Sequence, residues 1–142
     1  MAMKIAIGND HGGLTFKGEI IDLLRELGHE AEDFGCNSPE SVDYPDYADL
    51  VCRAILDSRC QCGILICGSG VGMSMAANRR PGIRAALCQE QFTARMSREH
   101  NNANVLCLGA RVVGPSLAVE IVRTWLTTEF AGGRHQRRIE KF

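Results

Sequence analysis

Short apolar runs that end in Gly or a polar turn alternate along this chain with stretches whose apolar residues recur every three or four positions. That is the pattern of strands alternating with helices. Lys4–Ile7 reads as a first strand and Leu14–Leu27 as a helix, with Ile20, Ile21, Leu24 and Leu27 on one face and Gly28 as its stop. A weaker strand at Glu30–Phe34 leads into Gly35–Pro45, which is rich enough in turn formers to be a long loop before a helix at Tyr47–Asp57. Long loops in compact proteins are often functional. A strand at Gly63–Cys67, a Gly-rich turn and a short helix from Met73 follow, then a strand at Ile83–Cys88, a helix at Gln89–Glu99 and a strand at Val105–Gly109. Pro115–Phe130 is the last helix expected; Gly132-Gly133 then punctuates the chain before a basic tail.

Five strands alternating with helices imply an α/β fold. The expectation is a single domain over residues 1–142, built as a three-layer, doubly wound, Rossmann-like five-stranded parallel sheet of order 2-1-3-4-5. Ligands of such sheets bind beyond the carboxyl ends of the strands, and the chemically interesting motifs are expected there. The apolar stripe of the last helix, Leu117, Ile121, Val122, Trp125 and Leu126, suits either the core or a subunit interface.

Composition removes several classes of function. At 142 residues and 45% hydrophobic content the chain suits one core, and 23% charged residues with a net charge of −1 point to neither a nucleic-acid nor a membrane partner. Any anion site must be local. The seven cysteines lie mostly within apolar runs, as in Gly63-Ile64-Leu65-Ile66-Cys67, which fits reduced thiols rather than a disulfide framework. Cys60 and Cys62 are too close for a zinc knuckle and no matching pair follows, so no metal site is expected. The start of the chain lacks the features of a signal peptide and no apolar run approaches a membrane span, so a cytoplasmic protein is expected.

The sharpest motif is Cys67-Gly68-Ser69-Gly70-Val71-Gly72, between a buried strand and a helix. Glycines at alternate positions let successive backbone N–H groups face one point, and such a loop holds anions. Phosphate cradles of many kinds share this shape. Cys67 stands at the strand's end, where those donors also favour a thiolate, although a small buried hydrophobe would suit the position as well.

The first strand ends in Gly8-Asn9-Asp10-His11-Gly12-Gly13, which breaks the glycine spacing of a dinucleotide fingerprint. Asp10 and His11 there suit proton transfer or anion binding, or else a helix cap and its neighbour. His100 and Asn101 end a helix, Arg111 follows the last strand, and the tail Gly132-Gly133-Arg134-His135-Gln136-Arg137-Arg138 clusters basic groups. Arginines bind phosphate through paired hydrogen bonds, but each of these also suits a surface or interface role.

Together these motifs resemble the ribose-5-phosphate isomerase B family, which includes the galactose-6-phosphate isomerase subunits. The match covers nearly the whole chain: Asp10-His11-x-Gly13 with Lys17, Asp43-Tyr44-Pro45 with Ala48, Gly63-Ile64-x-Ile66-Cys67-Gly68-Ser69-Gly70-x-Gly72 with Ala77-Asn78, His100-Asn101, Asn104-Val105-Leu106, Gly109-x-Arg111 and Gly132-Gly133-Arg134-His135-x-x-Arg138. The resemblance implies a cofactor-free aldose–ketose isomerase of ribose 5-phosphate and ribulose 5-phosphate. It makes Cys67 the base that forms a cis-enediolate, and Gly68, Ser69, Gly70, Val71 and Gly72 its anion hole. It also implies that His100 opens the sugar ring, that Asp10 shuttles protons between sugar oxygens, that His11, Arg111, Arg134 and Arg138 bind phosphate, and that Tyr44 and Asn101 line the sugar.

One branch of that family uses a glutamate base at the position of Met73, so Cys67 with Met73 resembles the cysteine branch. The family's site lies between subunits, which implies a homodimer or a dimer of dimers with His100 and Asn101 reaching the partner's loop. Allose or galactose 6-phosphate is the alternative substrate. A non-catalytic nucleotide-binding module is the alternative outside enzymes, and the broken dinucleotide fingerprint and missing Walker pattern weigh against it.

Overall fold

A computed structural model describes residues 2–142. The strands are β1 (Lys4–Asn9), β2 (Glu30–Asp33), β3 (Cys62–Cys67), β4 (Ala85–Leu87) and β5 (Val105–Gly109). The helices are α1 (Leu14–Glu26), α2 (Tyr44–Leu56), α3 (Val71–Ala77), α4 (Gln91–Glu99), α5 (Pro115–Thr127) and α6 (Arg134–Ile139), with one 3-10 turn at His11–Gly13. All four strand pairings are parallel. Helices α1, α4 and α5 bury Ile20, Leu24, Ala94, Ile121, Val122 and Trp125 against one face of the sheet. On the other face, α2 and α3 bury Val51, Cys52, Met73 and Ala77. The three-layer doubly wound arrangement is the one the alternation of elements predicts.

The strand order corrects the expected 2-1-3-4-5: it is β2-β1-β3-β5-β4. Burial explains the exchange. β5 is apolar and buried at every position, as a strand covered on both faces and both edges must be, whereas β4 shrinks to three half-buried residues and takes the edge. Asn78 blunts that edge, since its side-chain amide donates to Ala85 C=O at 2.9 Å and accepts from Ala85 N–H at 2.8 Å.

Helices α2, α3, α4 and α5 each shift by two or three residues at one end from the sequence pattern, and one further helix appears. Helix α2 starts at Tyr44 rather than Tyr47, because Pro45 in the first turn has no helical donor to lose. Helix α6 lies where only a basic tail was expected; Ile139 is its one buried residue, too little apolar periodicity to read. The stripe of α5 serves the core through Ile121, Val122 and Trp125, while Leu117 stays at the surface. Among the described residues no helix is long and apolar enough to cross a membrane.

All seven cysteines are free and buried. Burial pushes the Cys52 thiol to about 11 and the Cys62 thiol to about 12, from an ordinary value of 9.0, and raises Cys107 as well. Their contribution is therefore intact below pH 9 and is lost as pH rises toward the folded values, because only the unfolded chain ionises in that window. For Cys52 and Cys62 the loss at pH 10 is on the order of 1 kcal/mol each. Urea melts under reducing conditions should show a lower midpoint at pH 10 than at pH 8, and a smaller difference between the two in a Cys52→Ala/Cys62→Ala variant.

Candidate active site

The central strands β1, β3 and β5 bring three chain segments to one end of the sheet, since Asn9 pairs with Ile66 and Cys67 with Gly109. β3 is buried along its whole length and delivers Cys67, 5% exposed, to the carboxyl edge. The chain then turns back over the sulfur: Gly70 N–H donates to Cys67 Sγ at 3.1 Å, and Ser69 Oγ accepts from Val71 N–H at 3.2 Å. Arg111 N–H donates to Gly68 C=O at 2.9 Å, which fastens the same loop to the end of β5.

This turn depends on Gly70. Its φ is +80°, and a Cβ there would stand 2.6 Å from Leu87 Cδ1 and 2.9 Å from the Leu108 carbonyl carbon. Left-handed strain and overlap with a strand's backbone act together, so Gly70→Ala should destabilise the fold by about 2–4 kcal/mol. Urea denaturation would read that loss. The N–H now on Cys67 Sγ moves with the loop, so activity should fall further than the folded fraction does.

Asp10 caps the turn after β1, its Oδ1 accepting from Gly12 N–H at 2.8 Å. The turn abuts the Cys67 loop, for a Cβ on Gly12 would lie 3.0 Å from Gly68 N. His11 Nδ1 accepts from Val42 N–H at 3.2 Å, which leaves Nε2 as the donor of the neutral ring. The Tyr44 ring lies on the loop as well, 2.5 Å from where a Cβ on Gly72 would stand. The Arg111 side chain passes Gly68, with its Cδ 3.5 Å from an added Cβ. Exposed and without a carboxylate partner among the described residues, that guanidinium is free to meet an anion.

Two buried residues fasten this cluster without having been singled out for a role. Asn9 Nδ2 donates to Asp10 C=O at 3.0 Å and to Cys36 C=O at 3.2 Å. Lys17 Nζ pairs with Asp33 Oδ2 at 3.1 Å and donates to Cys36 C=O at 2.6 Å and Asn37 Oδ1 at 2.8 Å. They hold the long loop against Asp10 and His11. The readable signal is Lys17 itself, a charge one turn before Ile20 and Ile21 in the apolar stripe of α1.

The other expected residues stand elsewhere, which corrects the placement of every motif at carboxyl strand ends. His100 and Asn101 follow α4 and precede β5, whose first residue pairs with Gly63 and whose last pairs with Cys67. They therefore lie at the amino end of the sheet, beyond a strand that spans about 13 Å. Helix α6 joins them there. The His135 ring stacks on His100, with centroids 4.2 Å apart and planes 10° apart, and Arg134 and Arg138 share its helix. Ala131 N–H donates to Glu99 C=O at 3.0 Å and ties the tail down. Desolvation lowers the His135 pKa, and His100, Arg134 and Arg138 lower it further. A cavity of about 900 Å³ opens beside this second cluster rather than at the Cys67 loop, lined in part by Asn78, Asn101, Gln136 and Ile139. Among the described residues no group of three or more His, Cys, Asp or Glu is arranged to hold a metal ion.

An open parallel sheet that sets a thiol, a carboxylate and an imidazole beside a glycine-rich turn at its carboxyl edge has the makings of an enzyme site for a small substrate. The sequence profile of the ribose/galactose isomerase family matches residues 5–142, and the chain belongs to that family. It is a sugar-phosphate isomerase.

The solved structure of Clostridium thermocellum ribose-5-phosphate isomerase B superposes with a TM-score of 0.96 at 57% identity, covering 98% of this chain and 94% of that one. The ribose-5-phosphate isomerase B of Escherichia coli is 51% identical over 96% of this chain and 92% of its own. A relative named D-erythrulose-4-phosphate isomerase, from Pectobacterium atrosepticum, is 44% identical over 98% of this chain and 92% of its own.

Proposed function

We propose that the chain interconverts ribose 5-phosphate and ribulose 5-phosphate with Cys67 as the base. The observation that carries the reading is the Gly70 N–H on Cys67 Sγ, inside the turn Gly68–Gly72 that folds back over the sulfur. In this mechanism the thiolate takes the proton from C2 and returns it to C1. Between those steps a cis-enediolate forms, and the N–H groups of Gly68–Gly72 with the Ser69 hydroxyl offset its negative charge. Donors of this kind act where charge develops, and losing one commonly costs ~2.7–4 kcal/mol of barrier. Asp10 carries the proton between the two sugar oxygens. Tyr44, on the loop, lines the sugar, and His11 and Arg111 hold the phosphate from this chain. The reaction as drawn uses no metal or organic cofactor, so EDTA should leave the rate unchanged.

His100, Asn101, Arg134 and Arg138 stand at the far end of the sheet, so one chain does not assemble the whole site. The reading therefore includes a homodimer, alone or paired into a tetramer, in which the second cluster of one subunit meets the Cys67 loop of the other. There His100 would open the furanose ring, Asn101 would line the sugar, and the two arginines would complete the phosphate clasp.

Sugar length is the open choice within the family. The relative named for a four-carbon substrate shows that a similar chain carries a different name. Ribose 5-phosphate, allose 6-phosphate and galactose 6-phosphate, offered side by side with ketose product measured, should give the highest kcat/KM for ribose 5-phosphate. Faster turnover of a six-carbon ester would move the assignment to it, and turnover of none would end the reading.

A further inference from the structure

At the amino ends of β3 and β5, on the α5 face of the sheet, a cavity of about 260 Å³ is lined in part by Gln61, Arg84, Arg98, Asn102, Asn104 and Trp125. It contains none of the residues proposed for the isomerase site, although Arg84 also borders the cavity of about 900 Å³ beside the second cluster. Two guanidiniums meet here. Arg84 spends only Nε locally, on Asn102 C=O at 2.9 Å. Arg98 spends Nη1 on Asn102 Oδ1 at 3.2 Å and on Ala103 C=O, and its guanidinium lies 5.4 Å from the centre of the Trp125 ring.

Neither arginine has a carboxylate within ion-pairing distance among the described residues. Both are partly withdrawn from water. Desolvation lowers the Arg98 pKa, and the Arg84 charge lowers it further. Two like charges partly withdrawn from water with no counter-charge are costly, and an anion between them would offset that cost. The unused N–H groups of the two forks match the oxygens of a phosphate, and the space admits an oxyanion or a small ester of one.

We propose that this cavity is a second anion site, selective for inorganic phosphate or the phosphate group of a small ester. An occupant would also grip Asn102, whose φ of +47° turns the chain from His100 and Asn101 into β5.

The chain's single tryptophan lines this cavity and supplies the reporter. Full-length protein would be titrated with sodium phosphate at constant ionic strength set by sodium chloride, following Trp125 emission. A saturable change is expected. It should persist in Arg111→Met/Arg138→Met, which lacks two phosphate-binding guanidiniums of the proposed isomerase site. It should weaken at least roughly tenfold in Arg84→Met, as loss of one partner of a charged pair commonly does.

Should Arg84→Met fail to fold, Gln61→Glu serves the same purpose. It keeps the oxygen that accepts from Lys4 N–H at 2.6 Å and adds a negative charge at the cavity wall, so affinity should fall similarly. Emission that does not respond to phosphate, a change lost in the Arg111/Arg138 variant, or an affinity untouched by the cavity substitutions would each overturn the site. Methyl phosphate binding as well as inorganic phosphate does would extend the assignment to esters, and weaker binding would restrict it to the free ion.

Discussion

Cys67→Ala is expected to leave a folded protein whose kcat/KM for ribose 5-phosphate is lower by about 10³-fold or more. A positioned base alone commonly contributes 10²- to 10⁴-fold. Here the substitution also removes the atom that Gly70 N–H addresses, so the loop loses the contact that folds it over the reacting carbon. Stability should change little by comparison, because the substitution removes a single buried sulfur atom and leaves the backbone of β3 unchanged.

Cys67→Ser separates the two effects. Its hydroxyl can still accept from Gly70 N–H, yet it is far too weak an acid to supply an anion near neutral pH. A serine variant with the shape retained and the rate lost would place the proton chemistry on sulfur. A serine variant with wild-type rate would take the base away from this position. Exchange of the C2 proton with deuterated solvent, followed by NMR, reads the proton transfer itself and should fall in parallel with turnover.

Much of this centre is legible in the sequence because its parts are local. A fully apolar strand followed by glycines at alternate positions reads as a buried strand running into a tight turn, and Asp10 at the end of β1 caps its turn, one of the two readings its position allows. What resists reading is what depends on partners distant in the chain. The run at Ile83–Cys88 is apolar like Val105–Gly109 apart from Arg84, and the packing of both faces gives β5 the interior. Helix α6 rests on Ile139 and on the His135–His100 stack, neither of which leaves a periodic trace. The place of His100 was within reach, however. In a parallel sheet a helix that leads into a strand ends at that strand's amino side, so a residue at the close of α4 had to lie away from Cys67.

Mixing two inactive variants, Cys67→Ala and His100→Asn, should restore activity. Each variant alone lacks one indispensable group in every site. If each site draws Cys67 from one subunit and His100 from the other, a mixed dimer contains one site with both groups missing and one with both intact. Refolding equal amounts together makes half of the dimers mixed, so the mixture should recover about a quarter of wild-type activity. Were both groups drawn from the same subunit, mixing could restore nothing, because no site would ever hold both. The distance along β5 is what makes the test decisive: Val105 beside Gly63 and Gly109 beside Cys67 keep the two groups of one chain at opposite ends of the sheet. Recovery therefore reports a contact between subunits, and its absence in a mixture shown to contain mixed dimers would overturn the site shared between them.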